Sequence, residues 1–339
     1  MLDQADKLRL IAREKQAENT EFSALSPVSV TVPQLMATSA PYESVTNPVI
    51  IPVAKTIEQL SIAHDKTAIS SRVIAVTSGK GGVGKTNFTV NIAVALQKAG
   101  RRVVILDADF GLANIEVLFG VIPRYNLGHV FSGNMQIQDI ITEGPLGIKF
   151  LSGGSGLREL ANITQEQMTL VIDKFSYIDT ISDIILVDTG AGISDSVLNF
   201  IRSASETIII TTPEPTSITD AYAIIKASKE EANPKFSIVV NRVDDTKEGI
   251  EIFEKISRVT QRFLNMELIN LGCIPFDNCV IKSVKSQKPM MLNFPNCDAS
   301  KAVNKIALQL LEETAANQSL GLKGFMRKLS GIFAGKENL

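Results

Sequence analysis

The sequence has little cysteine, no tryptophan, no excess of one charge and no long apolar run. Its three cysteines, Cys273, Cys279 and Cys297, include no C-x-x-C pair, which disfavours a disulfide framework or a tetrahedral zinc site. Lysine and arginine number 34 against 36 acidic residues, which disfavours a protein that coats nucleic acid. No run approaches the roughly 18 apolar residues of a membrane span, and the first residues lack a signal-peptide pattern. We therefore expect a cytoplasmic protein.

The composition still leaves ample material for a core. Of 339 residues, 45% are hydrophobic and only 6% are aromatic, so aliphatic side chains must build that core. Residues 1–15 form a helical candidate with few apolar positions. Residues 16–70 hold five of the 13 prolines and show no persistent period, which is typical of a flexible linker. Residues 71–314 have the pattern of a folded domain.

Short β-branched runs alternate with helical stretches from Arg72 onward. The runs are continuous, as expected for strands buried on both faces of a parallel sheet. This alternation predicts an α/β fold, a doubly wound and mostly parallel sheet with helices on both faces. In such folds ligands bind at the carboxyl ends of the strands. The predicted strands are 73–76, 103–106, 184–187, 207–210 and 237–240, and the predicted helices are 87–98, 165–177, 194–202, 216–231 and 247–264.

The strongest motif is a glycine-rich loop that directly follows the first strand and directly precedes a helix. It satisfies G-x-x-x-x-G-K-[ST], whose glycines let backbone N–H groups approach phosphate oxygens. The helix N-terminus adds a positive dipole. We predict that Lys85 reaches the β- and γ-phosphates of ATP or GTP and that the Thr86 hydroxyl ligates Mg²⁺. The loop consists of Gly79, Lys80, Gly81, Gly82, Val83, Gly84, Lys85 and Thr86, and Asn87 follows it.

Acidic residues end two of the predicted strands, at the sheet edge where the phosphates would lie. Asp107 and Asp109 are one residue apart, so their carboxylates can reach Mg²⁺-bound water and the attacking water. Asp188 occupies the position of a Walker B acid, which holds Mg²⁺ through water, and the glycines beyond it suit a switch segment. We predict metal contacts from Asp107 and Asp188 and positioning of the attacking water by Asp109.

The loop resembles the deviant Walker A loop of the MinD/ParA family of P-loop NTPases, through the string K-G-G-V-G-K-T that begins at Lys80. The early lysine of that family crosses the interface of a nucleotide-sandwiched dimer, so the resemblance implies that Lys80 acts in trans. Segments 107–120 and 126–133 resemble one subfamily, FlhG, also called YlxH or FleN, which regulates flagellar number and placement. The resemblance covers about residues 72–335 and the N-terminal helix.

The N-terminal helix carries a further part of this resemblance. Residues 3–9 look like the D-Q-A-x-x-L-R element of the FlhG family, which binds the GTPase FlhF and stimulates its hydrolysis. The resemblance implies that Gln4 is the activating residue, because a glutamine can position attacking water in trans. It also implies docking contacts from Leu8 and Arg9.

Nucleobase contacts are implied by the same resemblance. Asn241 and Arg242 follow one apolar run, and Pro275 and Asp277 follow another. A guanine-reading N-K-x-D motif is absent, because Arg242 stands in the place of its lysine. We therefore expect ATP rather than GTP.

Residues 320–333 place six apolar side chains at helical spacing, with basic residues on the other face. A basic polar face matches anionic lipids, and the segment resembles the membrane-targeting helix of MinD. Packing on the domain or on a protein partner is the alternative. The predicted membrane helix spans 320–335, with lipid contacts from Phe325, Met326, Leu329, Ile332 and Phe333.

These features predict an ATP- and Mg²⁺-dependent ATPase that forms a homodimer with ATP and attaches reversibly to the inner face of the cytoplasmic membrane. It would regulate flagellar number and placement, with an FlhF-type GTPase as a partner. Flagellar switch proteins or a transcription activator are further candidate partners, and no specific nucleic acid is expected. The alternatives are a MinD-like division-site ATPase, a ParA-like segregation ATPase and a nucleotide-gated binding module that regulates a flagellar transcription activator. An iron–sulfur carrier is disfavoured because Cys273 and Cys279 are not a C-x-x-C pair.

Overall fold

The computed structural model describes residues 71–109, 114–133, 135–153, 165–229, 235–312 and 321–334. Within the helices, the side chains of 165–171 and 333–334 are not described. The predicted N-terminal helix, with Gln4, Leu8 and Arg9, and the predicted linker 16–70 lie outside the described residues. No described helix is long and apolar enough to cross a membrane.

Eight strands form one sheet in the order β3-β4-β2-β5-β1-β6-β7-β8. All neighbouring pairs are parallel except β3 and β4, which are antiparallel. The predicted α/β class and mostly parallel sheet are thus confirmed. The strands are β1 (Arg72–Ser78), β2 (Val103–Ala108), β3 (Thr142–Glu143), β4 (Lys149–Ser152), β5 (Ile184–Ala191), β6 (Glu206–Thr211), β7 (Lys235–Val243) and β8 (Ile269–Pro275).

Eleven α-helices and two short 3₁₀ turns occur in the described residues. Both turns, Ile137–Ile140 and Pro145–Gly147, flank the antiparallel strand β3. The helices are α1 (Lys85–Lys98), α2 (Ile115–Phe119), α3 (Leu127–Phe131), α4 (Gln165–Ile181), α5 (Asp195–Ser203), α6 (Pro215–Ser228), α7 (Thr246–Leu264), α8 (Asn278–Lys285), α9 (Met290–Asn293), α10 (Asp298–Glu312) and α11 (Gly321–Ala334).

Helices cover both faces of the sheet, because successive strand side chains point to opposite sides. On β1, Ile74 and Val76 pack in a core with α1 and α10, whereas Val73 and Ala75 pack in a second core with α3, α4 and α11. A third core lies between the sheet and helices α5, α6 and α7. Burial on both faces explains why the strands read as continuous apolar runs.

The C-terminal helix α11 belongs to this packing. Leu322, Phe325, Met326 and Leu329 are at most 1% exposed and lie in the core that includes α4 and Phe200 of α5. The sequence predicts a helix held apart from the domain for lipid contact, but the structure buries most of that apolar face against α4 and α5. An apolar stripe at helical spacing suits either environment, and here the domain supplies the apolar partner.

Two carboxylates of α4 hold the start of α11. The carboxylate of Asp179 accepts hydrogen bonds from the backbone N–H groups of Leu322, at 2.8 Å, and Lys323, at 3.2 Å. The ammonium of Lys323 forms an ion pair with Asp173 at 2.7 Å. Free N–H groups at the first turn of a helix are commonly satisfied by such acceptors. The docked helix is therefore fixed by polar contacts at its start as well as by its apolar face.

Candidate functional site

The glycine-rich loop connects β1 to α1, as predicted, and its glycines are required by close approaches. Gly84 has a φ of +97°, and a Cβ there would lie 2.6 Å from the Asn241 amide nitrogen. A Cβ on Gly79 would lie 2.4 Å from the carbonyl carbon of Asp220 in α6. A side chain at Gly79 would clash with the Asp220 backbone, and one at Gly84 would clash with the Asn241 side chain and strain the left-handed backbone. Glycine is therefore needed to wrap the loop at the N-terminus of α1.

A buried ion pair links this loop to the end of β5. The Lys85 ammonium lies 2.9 Å from Oδ1 of Asp188, and the Thr89 hydroxyl donates to the same oxygen at 2.9 Å. Lys85 is 7% exposed and Asp188 is 1% exposed. Oδ2 of Asp188 is buried and has no hydrogen-bond partner in the described structure. That orphaned oxygen is the group that a bound cation or its water would satisfy.

Asp107 lies beside Asp188, because β2 and β5 pair in register at these two residues. Burial, and to a lesser extent the neighbouring charge of Asp188, raise the pKa of Asp107 to about 7, although the backbone hydrogen bond from Asp109 and the charge of Lys85 oppose the rise. Two buried carboxylates this close need a cation when both are ionised. The Thr86 hydroxyl lies 3.4 Å from the Lys85 ammonium, which places it at the same site.

These oxygen donors suit Mg²⁺, which prefers carboxylate, hydroxyl and water ligands. The structure thus brings together Thr86, Asp107 and Asp188, the three predicted metal contacts. Asp109 is adjacent: a Cβ on Gly190 of β5 would lie 3.9 Å from its Oδ1. Metal binding and water positioning by these residues remain predictions, and the geometry is compatible with both.

The Lys80 side chain contacts two residues outside the loop. Its ammonium forms an ion pair with Glu214, which directly precedes α6, and donates to the Thr216 hydroxyl at 3.1 Å. The hydrogen bond that Lys80 donates to the Glu214 carboxylate, together with the positive charge of Lys80, lowers the pKa of Glu214. Lys80 is thus held within its own chain, and its predicted role in trans requires that it leave Glu214.

The predicted nucleobase contacts lie at the carboxyl ends of β7 and β8, where Asn241 pairs with Ile274. The Asn241 amide donates to the Val83 carbonyl at 2.7 Å, so this side chain braces the phosphate loop. Its oxygen accepts the Arg242 N–H at 3.0 Å. Arg242 itself is exposed and has a φ of +59°.

Pro275 ends β8, and Asp277 lies just beyond it. The Asp277 carboxylate accepts from the backbone N–H groups of Cys279, at 2.8 Å, and Ala299, at 3.3 Å. Asp277 therefore caps both α8 and α10. Contact of Asn241, Arg242, Pro275 or Asp277 with a base stays a prediction.

Two residues with clear contacts at the site were not predicted from the sequence. Thr89, one helical turn after Lys85, shares Oδ1 of Asp188 with it. Glu214, which follows β6 and lies 134 residues after Lys80 in the chain, forms the ion pair with Lys80. The i to i+4 spacing of Lys85 and Thr89 is a signal that could have found the first. Nothing in the spacing of Lys80 and Glu214 indicates their pairing.

Comparisons with known proteins agree with this geometry. Residues 70–311 match a family model described as ParA, NUBPL iron-transfer P-loop NTPase. The antiactivator FleN of Pseudomonas aeruginosa is 43% identical over 237 residues, which are 70% of this chain and 85% of FleN. The flagellum site-determining protein YlxH of Helicobacter pylori is 36% identical over 266 residues, which are 77% of this chain and 90% of YlxH.

A solved structure shares the fold. The septum site-determining protein MinD of Pyrococcus horikoshii, complexed with Mg-ADP, has a TM-score of 0.59 and 25% identity, and the match covers 73% of this chain and all of that one. The glycine-rich loop at the start of α1 and the acids at the ends of β2 and β5 occupy the edge of the sheet where such a nucleotide binds. With more than half of its length matched by the family model, the chain belongs to the ParA family of P-loop NTPases.

Proposed function

We propose that this protein is an ATP-dependent, dimerising ATPase that regulates flagellar number and placement. The observation that carries the proposal is the buried contact of Lys85 with Asp188, beside Asp107. It joins a phosphate-binding loop to the acids that a nucleotide-bound Mg²⁺ needs. The flagellar assignment rests on the similarity to FleN and YlxH. The absence of an N-K-x-D lysine, with Arg242 at that position, favours ATP.

Lys85 changes partner when nucleotide binds. Its ammonium forms an ion pair with Asp188 in this structure. With ATP present, Lys85 would bind the β- and γ-phosphates, and Thr86, Asp107 and Asp188 would hold Mg²⁺. Bound Mg²⁺ would supply neutralisation of the phosphate charge. The half-buried Asp109 would orient the attacking water.

Lys80 couples ATP binding to dimerisation. Its ion pair with Glu214 is exposed, so water screens the attraction between the two charges and the pair is weak. A partner's phosphates, which carry several negative charges, outcompete one exposed carboxylate. We infer that closure of the dimer transfers Lys80 from Glu214 to the nucleotide of the second copy.

Membrane attachment follows from release of α11. Phe325, Met326 and Leu329 are buried in the domain and Ile332 is half-buried, so none of the first three can contact lipid while the helix is docked. Dimerisation would free the helix, and two released copies bind a bilayer with avidity that one helix lacks.

The N-terminal helix supplies the contact with the FlhF-type GTPase. Gln4 would position water in the GTPase site, and Leu8 and Arg9 would dock the helix. These residues precede a segment of about 55 residues without a persistent period, which gives the helix a long reach from the ATPase domain.

Size-exclusion chromatography with ADP, with ATP and with anionic vesicles tests the proposal. We expect the wild type to be a monomer with ADP and a transient dimer with ATP, and Asp109→Ala to accumulate as an ATP-bound dimer on vesicles. Lys80→Ala is the matched control and should remain a monomer. If Asp109→Ala stays monomeric with ATP, or if vesicle binding is equal with ADP and ATP, the proposed cycle is wrong.

A second candidate function is favoured by the name of one relative, antiactivator FleN. The protein would then act as a nucleotide-gated module that holds a transcription activator, with little need for hydrolysis. Comparing repression by wild type and by Asp109→Ala separates the two functions. Equal repression, together with negligible turnover in the presence of lipid, would favour the binding module.

A further inference from the structure

Three potential metal ligands converge where β8 ends and two helices begin. The carboxylate of Asp277 and the thiols of Cys279 and Cys297 all lie within 4.8 Å of one another, and each residue is half-buried. Asp277 precedes α8, Cys279 lies in its first turn, and Cys297 directly precedes α10. The two cysteines are 18 residues apart in the chain, so they meet only through the packing of α8, α9 and α10.

The cluster is held in place before any ligand binds. The two oxygens of Asp277 accept from the backbone N–H groups of Cys279 and Ala299, so one carboxylate caps both helices. Both thiol sulfurs also lie within 4.8 Å of a ligand oxygen of this carboxylate. The Cys297 thiol donates to the Ser300 hydroxyl at 3.3 Å as well. A fixed carboxylate with two thiols pointing at it is a preorganised set of ligands.

The ligand chemistry selects a thiophilic divalent cation. Zn²⁺ binds thiolate at about 2.3 Å and carboxylate at about 2.0–2.2 Å, so tetrahedral ligands lie roughly 3.3–3.8 Å apart. The ligand atoms here need to approach one another by at most about 1.5 Å to reach that spacing. Two thiolates, one carboxylate and one Zn²⁺ carry a net negative charge, and the two helix N-termini that meet at the cluster favour such a charge.

We propose that Asp277, Cys279 and Cys297 form a Zn²⁺-binding site whose fourth position is open to water. The sequence spacing disfavours a zinc site because no C-x-x-C pair exists, yet the fold supplies the second thiol from a distant segment. The site is separate from the predicted Mg²⁺ ligands, which offer oxygen alone. Bound Zn²⁺ ties the turn after β8 to the start of α10.

Cobalt substitution tests the site directly. The full-length protein is reduced, stripped of metal and titrated with Co²⁺ without nucleotide. We expect one equivalent of Co²⁺ to produce a thiolate-to-cobalt charge-transfer band in the near ultraviolet and visible bands of tetrahedral geometry, and Zn²⁺ to abolish both. Co²⁺ bound by Asp107 and Asp188 would give no charge-transfer band, because that site lacks sulfur.

Cysteine variants identify the ligands. Cys279→Ser and Cys297→Ser should each weaken Co²⁺ binding by more than about tenfold, the lower end of the effect that even outer-shell groups have. Cys273→Ser is the matched control, because Cys273 is also half-buried but lies outside the cluster, and it should retain the full band. Asp277→Asn keeps an oxygen for helix capping but loses the ligand charge, and should also weaken binding.

Three results would overturn the proposal. They are no charge-transfer band in the reduced wild type, a full band in either Cys279→Ser or Cys297→Ser, and loss of the band in Cys273→Ser. Circular dichroism establishes that each variant is folded. If one serine variant does not fold, the other decides, because each removes one of the two thiols.

Discussion

The ring of Phe325 in α11 is stacked on the ring of Phe200 in α5, with centroids 6.2 Å apart and planes inclined by 11°. Both side chains are 1% exposed. A residue predicted to enter lipid therefore fills the core of the P-loop NTPase fold. The domain core and the membrane would compete for the same apolar face of α11. A change that weakens the packing of α11 on the domain should therefore strengthen its membrane binding, and a change that weakens membrane binding should favour the docked helix.

Removing α11 should destabilise the whole domain. Each of its four fully buried side chains contributes about 1.5–3 kcal/mol by burial. We expect a chain that ends at residue 320 to melt more than about 5 °C below the full chain and to bind a hydrophobic dye at the exposed groove. A chain that ends at residue 335 is the control and should melt like the full one. An unchanged melting temperature in the shorter chain would show that the docked packing is dispensable.

Asp179→Ala should weaken the docking of α11 on the domain and leave unchanged the residues that are predicted to contact lipid. The substitution removes the acceptor for the N–H groups of Leu322 and Lys323, which weakens docking by about 0.5–2 kcal/mol. We expect increased co-sedimentation with anionic vesicles in the presence of ADP. Asp173→Asn removes only an exposed ion pair with Lys323 and should have a smaller effect. Reduced vesicle binding by Asp179→Ala would contradict the competition between core and lipid.

Glu214→Gln should favour the ATP-bound dimer. The substitution removes the charge that holds Lys80 within its own chain, although this ion pair is exposed and therefore weak. The dimer should therefore form at a modestly lower protein concentration, as measured by analytical ultracentrifugation with ATP. Thr216→Ala removes a neutral contact of the same lysine and provides a milder comparison. Weaker dimerisation of Glu214→Gln would place Glu214 in the interface itself.

Gln4→Ala should abolish stimulation of an FlhF-type GTPase and leave the ATPase activity intact. The glutamine is predicted to position water in the partner's site, whereas the residues proposed for ATP hydrolysis all lie within the predicted domain 71–314. Steady-state GTPase and ATPase assays on the same preparation measure both activities. Deletion of residues 1–20 should have the same two effects. Loss of basal ATPase in either variant would contradict the modular organisation.

The sequence was informative wherever local chemistry determines structure. The loop from Gly79 to Thr86 and the acids Asp107 and Asp188 were placed correctly at strand ends, because buried parallel strands and phosphate loops have strong local patterns. Strand β4, which lies next to the edge strand β3, and helices α8 and α10 were not assigned. The first two are short, and short segments carry weak signals. Their positions depend on packing that a linear pattern does not contain.

Long-range relationships account for the other differences. The stripe that includes Phe325 has the same period whether it faces lipid or protein, so the sequence could not choose between Phe200 and a bilayer. Cys279 and Cys297 lie close together only because the segment that contains α9 brings the start of α10 back to the start of α8. In each case the local sequence shows which kind of contact a side chain is able to make, and the tertiary structure determines which residue it contacts.

Asp107→Asn should stabilise the nucleotide-free protein at high pH. The pKa of Asp107 is raised to about 7, mainly by burial, so the folded state binds more protons than the unfolded state between about pH 4 and 7. Stability from this group is present at low pH and is lost as the pH rises through 7. We expect the variant to melt above the wild type at pH 8 and at the same temperature at pH 4, where Asp107 is protonated in the folded state and only half ionised in the unfolded state. Mg²⁺ with ADP should remove the difference at pH 8, because the cation neutralises the Asp107 and Asp188 pair; a variant that melts lower at both pH values would contradict this account.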